Sequence, residues 1–98
     1  MARNTTESAI EDYLTQRVKA LGGYALKVVI VGDKGSPDRW CMFPNGKIIL
    51  VECKYENKGK VSLKQELWMS RFRELGFPAY VIRFKEEVDV MLHQEGLL

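Results

Sequence analysis

Pro44-Asn45-Gly46 stands between two largely apolar runs, 38–43 and 47–54, and this arrangement restricts the chain more than any other feature. Two short strands joined by a turn of that composition predict a β-hairpin. The length of the turn decides which side chains face each other, because a slip of one residue sends every side chain to the other face. If Asn45-Gly46 alone made the turn, Asp38 and Glu52 would lie on opposite faces. If Pro44-Asn45-Gly46 form the loop, Phe43 pairs with Lys47 and Asp38 pairs with Glu52. Proline suits the first position of a type I turn, Gly46 suits the left-handed position after it, and proline within the ladder would forfeit a hydrogen bond. The longer loop is therefore expected.

Upstream, Ile10, Leu14, Val18 and Leu21 recur at helical spacing and predict an amphipathic helix over 6–21, ended by Gly22-Gly23. Residues 24–31 are nearly continuously apolar and β-branched, interrupted by Lys27, which predicts a strand buried on both faces. A loop over 32–37 follows, in which Pro37 forces Ser36 out of helical geometry. Downstream, Ser62 and Gln65 form a capping-box pattern at the head of a second helix, with Leu63, Leu67, Phe72 and Leu75 expected on its apolar side before Gly76 and Pro78 stop it. A strand over 79–84 and a short helix over 85–93, carrying Val88, Met91 and Leu92, complete the order. Helix, three strands, helix, strand, helix, with a helix available as a parallel crossover, predicts an α/β fold with a mixed central sheet flanked by helices. A chain of 98 residues has room for one core, so 1–98 is expected to be a single domain.

Composition excludes several classes. At 46% hydrophobic and 29% charged residues the chain is neither disordered nor of low complexity. No apolar run approaches the roughly 18 residues that cross a bilayer, and the N-terminus lacks the apolar stretch of a signal peptide, so no membrane association and an intracellular setting are expected. Cys41 and Cys53 are too few for a disulfide framework and have no zinc-finger partners, which predicts reduced core thiols. The net charge of +2 does not by itself indicate a polyanionic partner. His93 has no evident partner for chemistry, and Trp40 and Trp68 read as packing residues.

The chemistry-bearing residues gather around the hairpin. Glu52 and Lys54 alternate onto one face of their strand, and in the expected register Asp38 stands opposite Glu52, with Cβ atoms about 4.5–5.5 Å apart. Two carboxylates so close repel, and one must take up a proton unless a cation lies between them. Hard oxygen donors of this kind suit Mg²⁺ or Mn²⁺, which retain waters that can be activated. Lys54 adds a positive charge able to orient such a water or steady a negative transition state. Ion, water and ammonium together describe phosphodiester hydrolysis.

Pro37-Asp38 with Glu52-Cys53-Lys54 resembles the PD-(D/E)XK nuclease signature, and Gly35-Ser36-Pro37-Asp38-Arg39, Ser62-x-x-Gln65 and the early Glu7 resemble the virus-type replication-repair nuclease (VRR-NUC) family within it. The resemblance runs from about residue 7 to 84. It implies a restriction-endonuclease-like domain in which Glu7, Asp38, Glu52 and the Cys53 backbone carbonyl bind Mg²⁺ or Mn²⁺, and Lys54 assists the water. Gln65 joins these as a candidate catalytic residue. Glu7 and Glu11 lie one helical turn apart on the same face and both qualify as the helix-borne acid. The family-like pattern, a glutamate followed by Ile10 and Glu11, favours Glu7.

Structural uses compete with these assignments. Glu7 could serve an Asn4 cap and Glu11 a Ser8 cap, and Gln65 is the reciprocal member of the Ser62 capping box. Lys34, Arg39, Lys58, Lys60 and Lys64 form a candidate rim for DNA phosphates, with Arg71 and Arg73 further along their helix. The resulting expectation is a metal-dependent DNA endonuclease of replication or repair, selective for branched DNA such as four-way (Holliday) junctions. A homodimer would present two active sites to such a junction. The resemblance also fits a phage-encoded protein acting inside a bacterial host. The alternatives are a non-catalytic DNA-binding or assembly module, and an exonuclease or restriction-like enzyme of the same fold.

Overall fold

The structure is a computed structural model that describes residues 6–55 and 59–98. Helix α1 (Glu7–Ala20) leads into strands β1 (Tyr24–Lys27), β2 (Arg39–Met42) and β3 (Ile48–Cys53), followed by helix α2 (Leu63–Glu74), strand β4 (Ala79–Ile82) and helix α3 (Lys85–Gln94). The four strands form one sheet in the order β1-β2-β3-β4, with β1, β2 and β3 antiparallel and β4 parallel to β3. The crossover that a parallel pair requires is supplied by α2.

The hairpin adopts the expected register. Arg39 pairs with Val51 and Trp40 with Leu50, and the Phe43 amide donates to the Lys47 carbonyl at 2.8 Å. The turn itself differs from a type I turn followed by one left-handed residue. Asn45 is already left-handed at φ 69°, a conformation that asparagine tolerates better than most residues. Pro44 keeps the first position, where its missing N–H breaks no ladder bond.

The sheet has two unequal faces. On one, Ile10, Leu14 and Val18 of α1 and Val88, Met91 and Leu92 of α3 pack on Cys41, Ile49, Val51, Cys53 and Ile82, forming the main core. On the other, α2 covers Leu50 and Ala79 through Met69, with Trp40, Val81 and Phe72 partly buried around them. Trp40 meets Phe72 edge-on at 6.0 Å between centroids, so the tryptophan is a packing residue as expected.

Two expectations fail here for identifiable reasons. The run 24–31 is not a strand buried on both faces. β1 stops at Lys27, no described strand pairs with its outer side, and Val29 and Val31 are exposed, Val31 at 95%. After the Val28 amide donates to the Asp38 carbonyl at 2.8 Å, no ladder partner holds the chain. The apolar side expected for α2 holds at Phe72 and is out of phase elsewhere. Leu63 is 84% exposed and Leu67 and Leu75 are exposed, whereas Met69 is buried and Trp68 and Phe72 are half-buried. Gln65 lies on that inward side one turn before Trp68 and Met69, so a polar residue marks the packed face. Smaller differences are at the ends: β4 stops at Ile82 rather than 84, and β2 and β3 are each shorter than 38–43 and 47–54.

These placements predict opposite consequences for two leucines. Leu14→Ala removes a fully buried side chain and should cost about 2–5 kcal/mol in urea denaturation. Leu63→Ala should change stability by less than about 0.5 kcal/mol. Equal losses would contradict the assigned phase of α2.

Candidate active site

Asp38 and Glu52 meet where β2 begins and β3 ends. Asp38 precedes the Arg39–Val51 pair, and continuing the ladder by one step places it opposite Glu52. Alternation then puts Asp38, Glu52 and Lys54 on the face that carries Trp40 and Leu50, beneath α2. Glu52 is only 9% exposed, an unusual degree of burial for a carboxyl group. Gln65 Nε2 donates to the Glu52 carboxyl Oε2 at 3.3 Å. Lys54 Nζ lies 3.7 Å from the same oxygen.

The electrostatics follow from this placement. Burial and, after it, the Asp38 charge push the Glu52 carboxyl up, the Lys54 ammonium partly offsets both, Glu7 adds a smaller repulsion, and the net value is about 7. A buried acid facing another acid holds a proton near neutrality unless positive charge arrives.

Gln65 completes the Ser62 capping box and also reaches Glu52. Its amide N–H bonds Ser62 Oγ at 3.1 Å and its Oε1 accepts the Ser62 amide at 3.0 Å, completing the capping box. The remaining amide nitrogen is the one that reaches Glu52.

The loop carrying Asp38 is docked on α2. Trp68 Nε1 donates to Asp33 Oδ1 at 3.0 Å, and Lys64 Nζ lies 3.5 Å from the same oxygen. Gly35 rests directly on the helix, where a Cβ would come within 2.7 Å of Lys64 Cγ and 2.8 Å of Trp68 Cδ1. Only glycine allows that approach. The Asp33–Trp68 link was missed in the sequence because its residues are far apart and belong to no motif.

The two helix-borne acids are separated by their surroundings. Thr6 is the N-cap of α1, its Oγ1 accepting the Ala9 amide at 3.1 Å, so Glu7 occupies the first helical position and Ser8 lies inside the helix. Neither glutamate therefore stands three residues after the cap; Asn4 lies outside the described residues. Glu11 Oε1 is 3.5 Å from Arg39 Nη2, with both side chains largely buried. Glu7 is exposed and its charge is felt at Glu52. Among the described residues, no three acidic, histidine or cysteine side chains are drawn together tightly enough to cage an ion unaided.

The basic candidates are dispersed. Lys34 and Lys60 are exposed, and Lys64 edges a groove of about 460 Å³ formed with residues 29–34. Arg39 is turned inward to Glu11, and its Nε is a buried donor with no hydrogen-bond partner among the described residues. Lys58 lies outside the described residues. Arg71 stacks over Trp68 at 4.9 Å, and Arg73 binds the Ala79 carbonyl, where β4 begins. Burial pushes the Cys41 thiol up to about 12 and the Cys53 thiol upward as well, so both are inert core groups and only the Cys53 backbone is available to the site.

A mixed sheet bearing an opposed acid pair and a lysine at one end, met by a helix on either face, defines the restriction-endonuclease-like class. The chain matches the VRR-NUC domain family over residues 4–86 and belongs to that nuclease family. A solved structure described as a VRR_NUC domain superposes with a TM-score of 0.83 at 30% identity, covering 90% of this chain and 96% of that one. A curated relative, "Putative nuclease p44" of Acyrthosiphon pisum secondary endosymbiont phage 1, is 52% identical over 48 residues, 49% of this chain. That match covers 52% of the relative's length. Among the described residues, no helix is long and apolar enough to cross a membrane.

The raised Glu52 value sets a sign for stability. The folded state retains a proton that the unfolded chain releases above about 4.5, so stability declines as pH rises from there through about 7. Glu52→Gln should therefore melt higher than wild type at pH 8 without metal, by an amount corresponding to about 3 kcal/mol. The gap should close toward pH 4.5. A gap independent of pH would contradict the burial and repulsion assigned to Glu52.

Proposed function

We propose that this protein is a metal-dependent DNA endonuclease selective for branched DNA such as four-way junctions. The observation that carries this reading is the buried Glu52, opposed by Asp38 and flanked by the Lys54 ammonium at 3.7 Å. Membership in a nuclease family supports hydrolysis of phosphodiester bonds. The phage origin of the p44 relative supports a phage-encoded protein working inside a host cell.

The donor set suits a hard divalent cation. Mg²⁺ keeps several of its waters and is commonly bound by one or two carboxylates, so an acid pair suffices where a protein cage is lacking. Asp38 and Glu52 would hold the ion, with the Cys53 carbonyl and Glu7 completing the set; Glu11 is committed to Arg39. Bound there, Mg²⁺ or Mn²⁺ would supply charge to the phosphate oxygens and make a water more acidic. Lys54 orients the attacking water and steadies the negative charge that develops at phosphorus. Gln65 holds the Glu52 carboxyl in place through its amide. Attack in line with the departing 3′ oxygen leaves a 5′ phosphate.

Lys34, Lys60 and Lys64 would receive backbone phosphates, which holds DNA without reading its sequence. Arg39 would act from within through Glu11. A two-fold dimer would offer two clefts to a symmetric junction, and the uncovered Val29, Val31, Leu63 and Leu67 give a second copy apolar surface to bury.

The test is incubation of fork, flap and four-way-junction DNA with Mg²⁺ or Mn²⁺. Wild type should cut only with metal, and folded Asp38→Asn and Lys54→Ala should each lose about a hundredfold or more in rate. Salt-sensitive binding without cutting would instead mark a non-catalytic DNA-binding module, and dependence on DNA ends an exonuclease.

A further inference from the structure

Lys54 is held from the side as well as from its strand. Its side chain is 17% exposed, unusual confinement for a lysine, and the backbone of Gly59 lies flush along its stem. A Cβ on Gly59 would come within 2.8 Å of Lys54 Cδ and 3.1 Å of its Cβ, so any other residue would push against the lysine. The Gly59 carbonyl is itself tied down, accepting Arg83 Nη1 at 2.6 Å.

Arg83 is well placed to bear that load. The Lys54 amide donates to the Ile82 carbonyl at 2.9 Å, so the residue after Ile82 emerges beside Lys54 at the end of the β3–β4 ladder. The Arg83 amide donates to Glu87 Oε1 at 2.6 Å, and the Phe84 amide reaches the same oxygen at 3.1 Å, fixing the corner between β4 and α3. A continuous chain of bonds thus runs from the first turn of α3 through Arg83 to Gly59, and Gly59 presses on Lys54.

We propose that Arg83 and Gly59 are positioning residues for Lys54: the guanidinium holds the Gly59 carbonyl, and the Gly59 backbone confines the lysine stem so that its ammonium stays beside Glu52. The consequence for turnover rests on the role given to Lys54 above, whereas the confinement itself does not. A lysine left free has many rotamers, and a side chain misplaced by about 1 Å can lower a rate by two orders of magnitude.

The experiment pairs two readouts on the full chain. Amine acetylation under limiting reagent, followed by mass spectrometry, should show Lys54 protected relative to exposed Lys34. Arg83→Gln should raise Lys54 labelling several-fold with Lys34 unchanged, and Arg83→Lys should remain closer to wild type. Gly59→Ala approaches the same contact from the other side and should also change Lys54 labelling, which separates the proposal from any general loss of stability in the arginine variant. On junction DNA with Mg²⁺, Arg83→Gln should lower kcat about tenfold or more with KM unchanged. Unchanged Lys54 labelling in folded Arg83→Gln and Gly59→Ala overturns the proposal. A rise in KM at constant kcat also overturns it, by making Arg83 a DNA contact. Increased Lys54 labelling in the variants of a protein that never cuts DNA supports the confinement and removes the nuclease reading instead.

Discussion

The Phe43–Lys47 closure of the hairpin governs the rest of the site. One hydrogen bond across a loop of Pro44, Asn45 and Gly46 fixes the register, and the register carries Asp38 to the position opposite Glu52. A slip of one residue would put the two acids on different faces and, with one of them, send either Trp40 or Leu50 from the α2 layer into the α1 and α3 layer. The packing therefore opposes the slip. Cys41, Ile49 and Val51 fill one core while Trp40 and Leu50 fill the other, and neither set can change face without emptying both.

That rigidity has an electrostatic cost. Folding drives Glu52 out of water toward another acid, a state that only a proton or a cation relieves. Lys54 supplies part of the compensation and Gln65 a hydrogen bond, yet the carboxyl still remains displaced to about 7. The surrounding elements hold this arrangement in place: α2 is capped by the same Gln65 that touches Glu52, and the 32–37 loop is fastened to α2 through Asp33, Trp68 and the close approach of Gly35. Capping, loop docking and site geometry are thus one connected network.

Much of this was readable in the order of residues. Helical spacing and short apolar or β-branched runs located the three α-helices and four strands among the described residues, and the turn chemistry of Pro44 and Gly46 pointed to the register. The failures share a cause. Leu63, Leu67 and Leu75 were read by hydrophobicity alone, whereas the phase of α2 is decided by tertiary contact with the sheet, which turns Gln65, Met69 and Phe72 inward. The run after Lys27 looked like a buried strand because composition does not reveal where a sheet ends. Long-range pairs such as Glu11–Arg39 and Asp33–Trp68 leave no spacing signature, and it is the first of them that distinguishes Glu11 from Glu7.

The most direct measurement of the central claim is the titration of the Glu52 side-chain carboxyl by carbon NMR in metal-free protein. The account predicts a midpoint near 7, lowered in Asp38→Asn and lowered again in wild type when Mg²⁺ is added. A midpoint near the ordinary glutamate value of 4.5, indifferent to Asp38 and to Mg²⁺, would contradict it.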